Sequence, residues 1–338
     1  MVRYFESLDT PRALILLLSP RMSGSEQHRW RVLSAFALVY FFWGSTYLGI
    51  SVAVRDVPPY VMTGTRFVIA GVAMLAYCAL SGRKIAVNAG QLLRLAIIGC
   101  LLLTLANTLL AWAEETLPTG LSALIVAITP LWFLLVDSFM MRGDRVSSRG
   151  YLGLLLGVIG IVVLLWPKLQ SVNVREHRQI YPAFVLMFGS FCWSVGSALS
   201  KRWQTGIDPF SASGWEMAVA GTMNLLIAAL LGEYPHAHWT PQAIGAVAYL
   251  IVFGSWVGFS AYIWLLQHVS MSKVATYAYV NPIIAVILGW FFLHERVDVF
   301  LLAGTAIIVS SVALVTGAKV HKRVASKTEL AAVEAASD

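Results

Sequence analysis

Ten stretches of roughly twenty residues, almost free of charge, follow one another along this sequence. They cover 32–54, 60–80, 95–113, 120–141, 151–167, 181–200, 209–231, 243–268, 274–293 and 299–317. A helix rises about 1.5 Å per residue, so each run can cross ~30 Å of hydrocarbon. The runs are continuously apolar rather than alternating in ten-residue segments, which favours helices over a barrel. Composition closes off a soluble fold. Of 338 residues, 58% are hydrophobic and 12% charged, about half the charge of a typical soluble domain. The same apolar excess excludes disorder for the bulk of the chain. Three cysteines, Cys78, Cys100 and Cys192, have neither disulfide nor metal-ligand spacing. The expected fold class is all-α integral membrane, with ten transmembrane helices and short connections.

Residues 1–31 stand apart. Ala13 to Ser19 is too short to span and lacks a cleavage pattern. Met22 opens a polar stretch, so Met1 and Met22 are both candidate starts, and poor order is expected before about Trp30. Residues 318–338 read as a charged cytoplasmic tail. With the N-terminus inside, eighteen of the 24 Lys and Arg fall in inside segments and five outside, leaving Arg66 within a span. That bias predicts both termini in the cytoplasm of a plasma or inner membrane. The net charge of +7 is then topological, and no nucleic-acid partner is implied.

The chain also repeats itself at an offset of about 150 residues. Phe41-Phe42-Trp43 matches Phe191-Cys192-Trp193; Pro59-Tyr60 matches Pro209-Phe210. Gly64, Ala70 and Gly71 match Gly214, Ala220 and Gly221, and Pro130 matches Pro282. Each half, 32–167 and 181–317, holds five spans. An odd number reverses the polarity of the second half, so the expected architecture is two five-helix inverted-topology repeats. That arrangement surrounds a midplane site in many secondary transporters.

Phe42-Trp43-Gly44-Ser45-Thr46-Tyr47, followed by Pro58-Pro59 and Gly64-Thr65-Arg66-Phe67, resembles the opening of EamA-type members of the drug/metabolite transporter superfamily. Ala275-Thr276-Tyr277-Ala278-Tyr279-Val280-Asn281-Pro282 extends the likeness, toward the YedA-like exporter branch. The resemblance covers about 32–317. It implies ten helices in two EamA repeats, cytoplasmic termini and export of small metabolites such as amino acids.

Candidate cargo contacts follow from residues out of place in lipid. Pro130 and Pro282 sit at equivalent points of two spans, where proline frees backbone carbonyls. Asn281 adds a polar side chain beside the second. Trp43, Tyr47, Trp193, Trp256 and Tyr277 offer faces for an aromatic or cationic cargo and donors to orient it; interfacial anchoring is the alternative. Thr104 and Asn107, at i and i+3, are cargo contacts or helix glue, and Ser197 is a small cavity residue beside Trp193. Buried ionisable groups are costly in lipid, so Arg66, Glu216 and Asp137 are the gating or coupling candidates. Arg66 and Glu216 each lie ~9 Å into their helices from opposite faces, which leaves them ~12 Å apart along the normal. Each is therefore expected to snorkel or pair at its own mouth. Glu216 is the first choice for proton coupling and Asp137 the second.

No metal pair occurs among the seven histidines, no phosphate-binding G-x-x-x-x-G-K-[ST] is present, and no cofactor or catalytic set is called for. The expected partners are a small-molecule cargo and the bilayer, with monomer or homodimer left open. Two alternatives remain. A nucleotide-sugar or phosphate-ester exchanger requires several cavity cations. A membrane-embedded enzyme acting on lipid-linked substrates requires clustered polar groups in the bundle.

Overall fold

The computed structural model describes residues 24–140, 148–170, 179–203, 206–274 and 276–317, and among them every regular element is helical. The helices are α1 Gly24–Ala53, α2 Pro59–Leu80, α3 Ala89–Ala113, α4 Thr119–Val126, α5 Thr129–Met140, α6 Ser148–Gln170, α7 Ile180–Arg202, α8 Pro209–Leu231, α9 Pro241–His268, α10 Tyr277–Leu293 and α11 Val299–Gly317. Seven helical stretches are long and apolar enough to cross a membrane, and the apolar segments Tyr151–Pro167, Val280–Leu293 and Val299–Ser311 accompany them.

Several expected boundaries change. The first helix extends upstream of residue 32, to Gly24, and sets the His28 ring 6.3 Å from Trp264 and 6.1 Å from His268. Residues 1–23 and the tail 318–338 lie outside the described residues. The third span starts earlier, because Asn88 and Gln91 form a reciprocal cap at 2.8 and 3.0 Å. The fourth run is two helices, broken at Ala127–Ile128 just ahead of Pro130. Pro282 does not break its helix: α10 runs through it, and the interruption lies upstream, beside Thr276.

The most extensive helix pair is α2 with α8, two equivalent segments of the repeat. They cross where side chains are missing. A Cβ on Gly71 would stand 2.4 Å from the Ala218 amide nitrogen, and one on Gly221 2.4 Å from the Val68 nitrogen. Gly64 faces Leu225 and Gly214 faces Leu75 in the same reciprocal way. Partner numbers fall on α8 as they rise on α2, so the pair runs antiparallel. Small residues let the backbones approach where lipid supplies no hydrophobic drive. A second pair, α6 with α11, closes over Gly160 and Gly304.

Hydrogen bonds sort the loops into two ends. At one end Glu233 accepts from Tyr60 N and Val61 N at 3.0 and 3.1 Å, which caps α2 from the other half of the chain. Glu295 does the same for α4, accepting from Thr119 N at 2.7 Å and Gly120 N at 3.3 Å. Each carboxylate meets the orphan N–H groups and positive dipole of a helix start. At the opposite end Arg83 pairs with Asp208 at 2.8 Å, and Trp215 donates to the Ile85 carbonyl at 2.9 Å.

Candidate functional site

Two helices change winding in mid-course. Cys100–Thr108 of α3 and Leu250–Phe259 of α9 form π-helical turns at equivalent places in the two halves. Such turns are rare and frequently mark functional sites. Between them lies a partly open cavity of about 70 Å³. Its wall draws on α1, α2, α3, α4, α7, α9 and α10.

One side is an aromatic cluster. Trp43 meets Trp193 edge-on at 5.3 Å and Tyr277 edge-on at 5.5 Å, and lies 4.8 Å from Tyr262. The Trp43 indole donates to the Gly254 carbonyl at 3.1 Å, and the Trp193 indole to the Tyr262 hydroxyl at 3.0 Å. Ser197 stands one layer behind, bonded to Tyr262 at 2.6 Å and to the Trp193 carbonyl at 2.7 Å. The Asn281 amide ends 3.2 Å from the carbonyls of Tyr40 and Tyr277, which assigns its nitrogen, the donor, to that side. Buried polar atoms held this way fix the rings rather than leaving them free to turn.

The other side is cationic. Arg66 is only 3% exposed. Its Nε donates to Ser255 Oγ at 3.0 Å and its Nη1 to Asn107 Oδ1 at 3.3 Å. Ser255 and Asn107 sit on the two π segments. The guanidinium carbon also lies 4.8 Å over the Phe67 ring. Among the described residues no carboxylate comes within ion-pair distance of Arg66 or lines the cavity.

The sequence candidates divide accordingly. Trp43, Tyr47, Asn107, Trp193, Tyr277, Asn281 and Arg66 line the cavity. Trp256, Thr104, Pro130, Pro282 and Ser197 do not. Trp256 points away and donates to the Ala70 carbonyl at 2.9 Å. Thr104 reaches toward the Ala220 carbonyl at 3.5 Å. For Thr104 this is the helix-glue alternative rather than the cargo contact. The i, i+3 relation of Thr104 and Asn107 at 3.6 residues per turn does not hold where hydrogen bonds span five residues, and the π turn of α9 brings Ser255 to the cavity wall.

The snorkelling expected of Arg66 is also corrected. Its side chain reaches sideways to α3 and α9 instead of back to a mouth. Glu216, 1% exposed, does not snorkel either; it borders a separate cavity beside Lys201, Ser200 and Gln267, and its Oε2 has no hydrogen-bond partner. Asp137 lies on α5, and its side chain is outside the described residues.

A multi-helix bundle with short connections, apolar outer faces and a polar-aromatic central cavity defines a multi-pass membrane transporter. The chain belongs to the EamA-like transporter family, whose model matches it twice, over residues 30–166 and 180–317. Within the drug/metabolite transporter superfamily it falls in the YedA-like branch. It is 32% identical to the inner membrane transporter YedA of Escherichia coli K12, over 84% of this chain and 90% of that protein. It is 19% identical to the transporter YoaV of Bacillus subtilis, over 82% and 94%, and 23% identical to a chloroplastic WAT1-related protein of Arabidopsis thaliana, over 85% and 69%. A crystal structure 20% identical in sequence superposes with a TM-score of 0.62, over 85% of this chain and 97% of that one, which establishes a shared fold.

Proposed function

We propose that this chain is a secondary transporter that exports small metabolites, namely amino acids and aromatic or amphipathic compounds, by alternating access. Ten transmembrane helices form two repeats of opposite polarity, 32–167 and 181–317, with both termini cytoplasmic in a plasma or inner membrane. The observation that carries the reading is the central cavity, walled by matched residues of both halves, Trp43 and Trp193 meeting edge-on. A site shared by two related halves is accessible from alternate sides when the halves rock against each other. The antiparallel crossing of α2 and α8 supports the inverted polarity, since equivalent helices run in opposite directions. The wall holds a single cation among the described residues, which weighs against a phosphate-ester exchanger that needs several.

Trp43, Tyr47, Asn107, Trp193, Tyr277 and Asn281 contact the cargo, and Glu216 is the candidate for proton coupling. An efflux assay in liposomes, run against a panel of amino acids and aromatic metabolites with and without a pH gradient, tests this. Saturable flux of at least one compound is expected. Absence of flux for the whole panel sinks the transporter reading, and flux indifferent to the gradient removes Glu216 from coupling.

A further inference from the structure

The transporter reading spans amino acids and aromatic or amphipathic compounds, and the surroundings of Arg66 narrow it to members without an ammonium group. A guanidinium keeps its proton in proteins and has five N–H donors in a planar fork. Here two of them meet the neutral oxygens of Ser255 and Asn107. Arg66 is part of the cavity wall, and its Nη2 packs close to Gly254. A Cβ at Gly254 would come within 2.7 Å of Nη2, so the absence of a side chain there is what makes room for the guanidinium beside α9.

A charge taken out of water is costly unless an opposite charge meets it. Among the described residues no carboxylate forms an ion pair with Arg66: Glu216 borders another cavity, and Glu114 lies just past the end of α3, outside the cavity lining. The positive charge is nonetheless held rigidly, braced by two helices and by the Phe67 ring. The uncharged rings of Trp43, Tyr47 and Tyr277 line the same cavity.

Resting on the transporter reading, we propose that Arg66 is the anion subsite of the cavity, and that the cargo is an organic monocarboxylate with an uncharged aromatic or apolar body. The carboxylate takes the free side of the fork in charge-assisted hydrogen bonds, planar against planar. The body packs on the aromatic cluster. A dianionic phosphate would leave one charge unmatched, because Arg66 is the one cation among the described lining residues. A cationic amine would meet a like charge.

Three probes of one shape separate the classes: 3-phenylpropionate, its amide 3-phenylpropionamide, and 3-phenylpropylamine. Binding to the purified full-length protein in detergent is measured by calorimetry. The carboxylate should bind roughly tenfold or more tighter than the amide, the usual margin of a charged over a neutral hydrogen bond, and the amine weakest of the three. Arg66→Gln should bring carboxylate and amide to equal affinity, whereas Arg66→Lys should retain part of the preference. Should Arg66→Gln fail to fold, the wild-type ranking decides alone. Equal binding of carboxylate and amide, tighter binding of the amine, or no binding of any probe overturns the proposal. Counterflow of labelled 3-phenylpropionate in proteoliposomes keeps the two readings apart. Preferential binding without flux refutes transport and leaves the anion subsite standing; flux of the amide without carboxylate preference does the reverse.

Discussion

Arg66 and Glu216 occupy matched positions on two helices that cross each other, and both are almost wholly buried. They nevertheless open onto different cavities. Arg66 finds Asn107 and Ser255; at the offset of 150 residues, the positions matching those partners are Val257 and Leu105, which have nothing to hydrogen-bond. Glu216 accordingly keeps one oxygen without a partner. Repetition thus duplicated the backbone placement, and a few side chains on neighbouring helices decided which of the two charges meets the central cavity. An internal repeat supplies candidate positions in pairs, but it does not make the pair equivalent in chemistry.

The crossing itself is the strongest lever on that comparison. Gly71→Leu should push α8 away through the Ala218 backbone, which has no soft side chain to yield. Overpacking of this kind costs about 1–3 kcal/mol, and more where backbone is the obstacle. Loss of folded, monodisperse protein is expected by size-exclusion and thermal unfolding in detergent. Gly245→Leu, with open space around its Cβ position, should change neither. A well-folded Gly71→Leu protein would show that the close crossing is not what joins the halves.

Glu216→Gln comes next. Removing an unmatched buried charge should hold or raise thermal stability, by about 1 kcal/mol, since the group left behind is easier to bury. Binding of 3-phenylpropionate should be unchanged, while flux should lose its response to a pH gradient. A change in binding would erase the distinction between the two cavities.

A third buried charge extends the comparison to the loops. Glu114 lies just past the end of α3, 5% exposed, with both carboxylate oxygens unpartnered. Burial, reinforced by nearby Glu295, raises it well above the ordinary carboxylate value of 4.5. Folding then favours the protonated form. Its contribution is fully present below pH 4.5 and is lost as pH rises through the raised value. Thermal stability should fall as pH rises from the ordinary carboxylate range upward, and Glu114→Gln should flatten that fall. An identical pH slope in the variant would count against it.

Ser255→Ala is the smallest step. It removes one neutral brace from Arg66 and leaves Asn107. About 1 kcal/mol, or roughly fivefold in carboxylate affinity, should be lost, with stability little changed. An undiminished affinity would mean that Asn107 and Phe67 suffice to aim the fork.

How legible this molecule is from its residues depends on the scale. Charge-poor runs announce the helices because hydrocarbon tolerates little else. The glycines of the α2–α8 crossing stand out as matched small residues, and Trp43 and Trp193 as matched aromatics. Local winding is hidden. Nothing in Cys100–Thr108 or Leu250–Phe259 announces a π turn, so the sequence does not separate Ser255, on the cavity wall, from Thr104, which is off it. The surroundings of Arg66 are hidden for another reason: depth along a helix axis says how far a charge is from its own mouth, not that Asn107 and Ser255 lie beside it. The break before Pro130 was readable, whereas the uninterrupted course of α10 through Pro282 was not.

The short helix α4 has a mechanical consequence. Its first turn is clasped by Glu295, its last residue Val126 forms part of the cavity wall, and the chain bends at Ala127–Ile128. Eight residues make a rod of about 12 Å. A carboxylate in the loop after α10 is thus joined, through one short rod, to a wall of the central cavity, so the loop and the chamber share a single structural element.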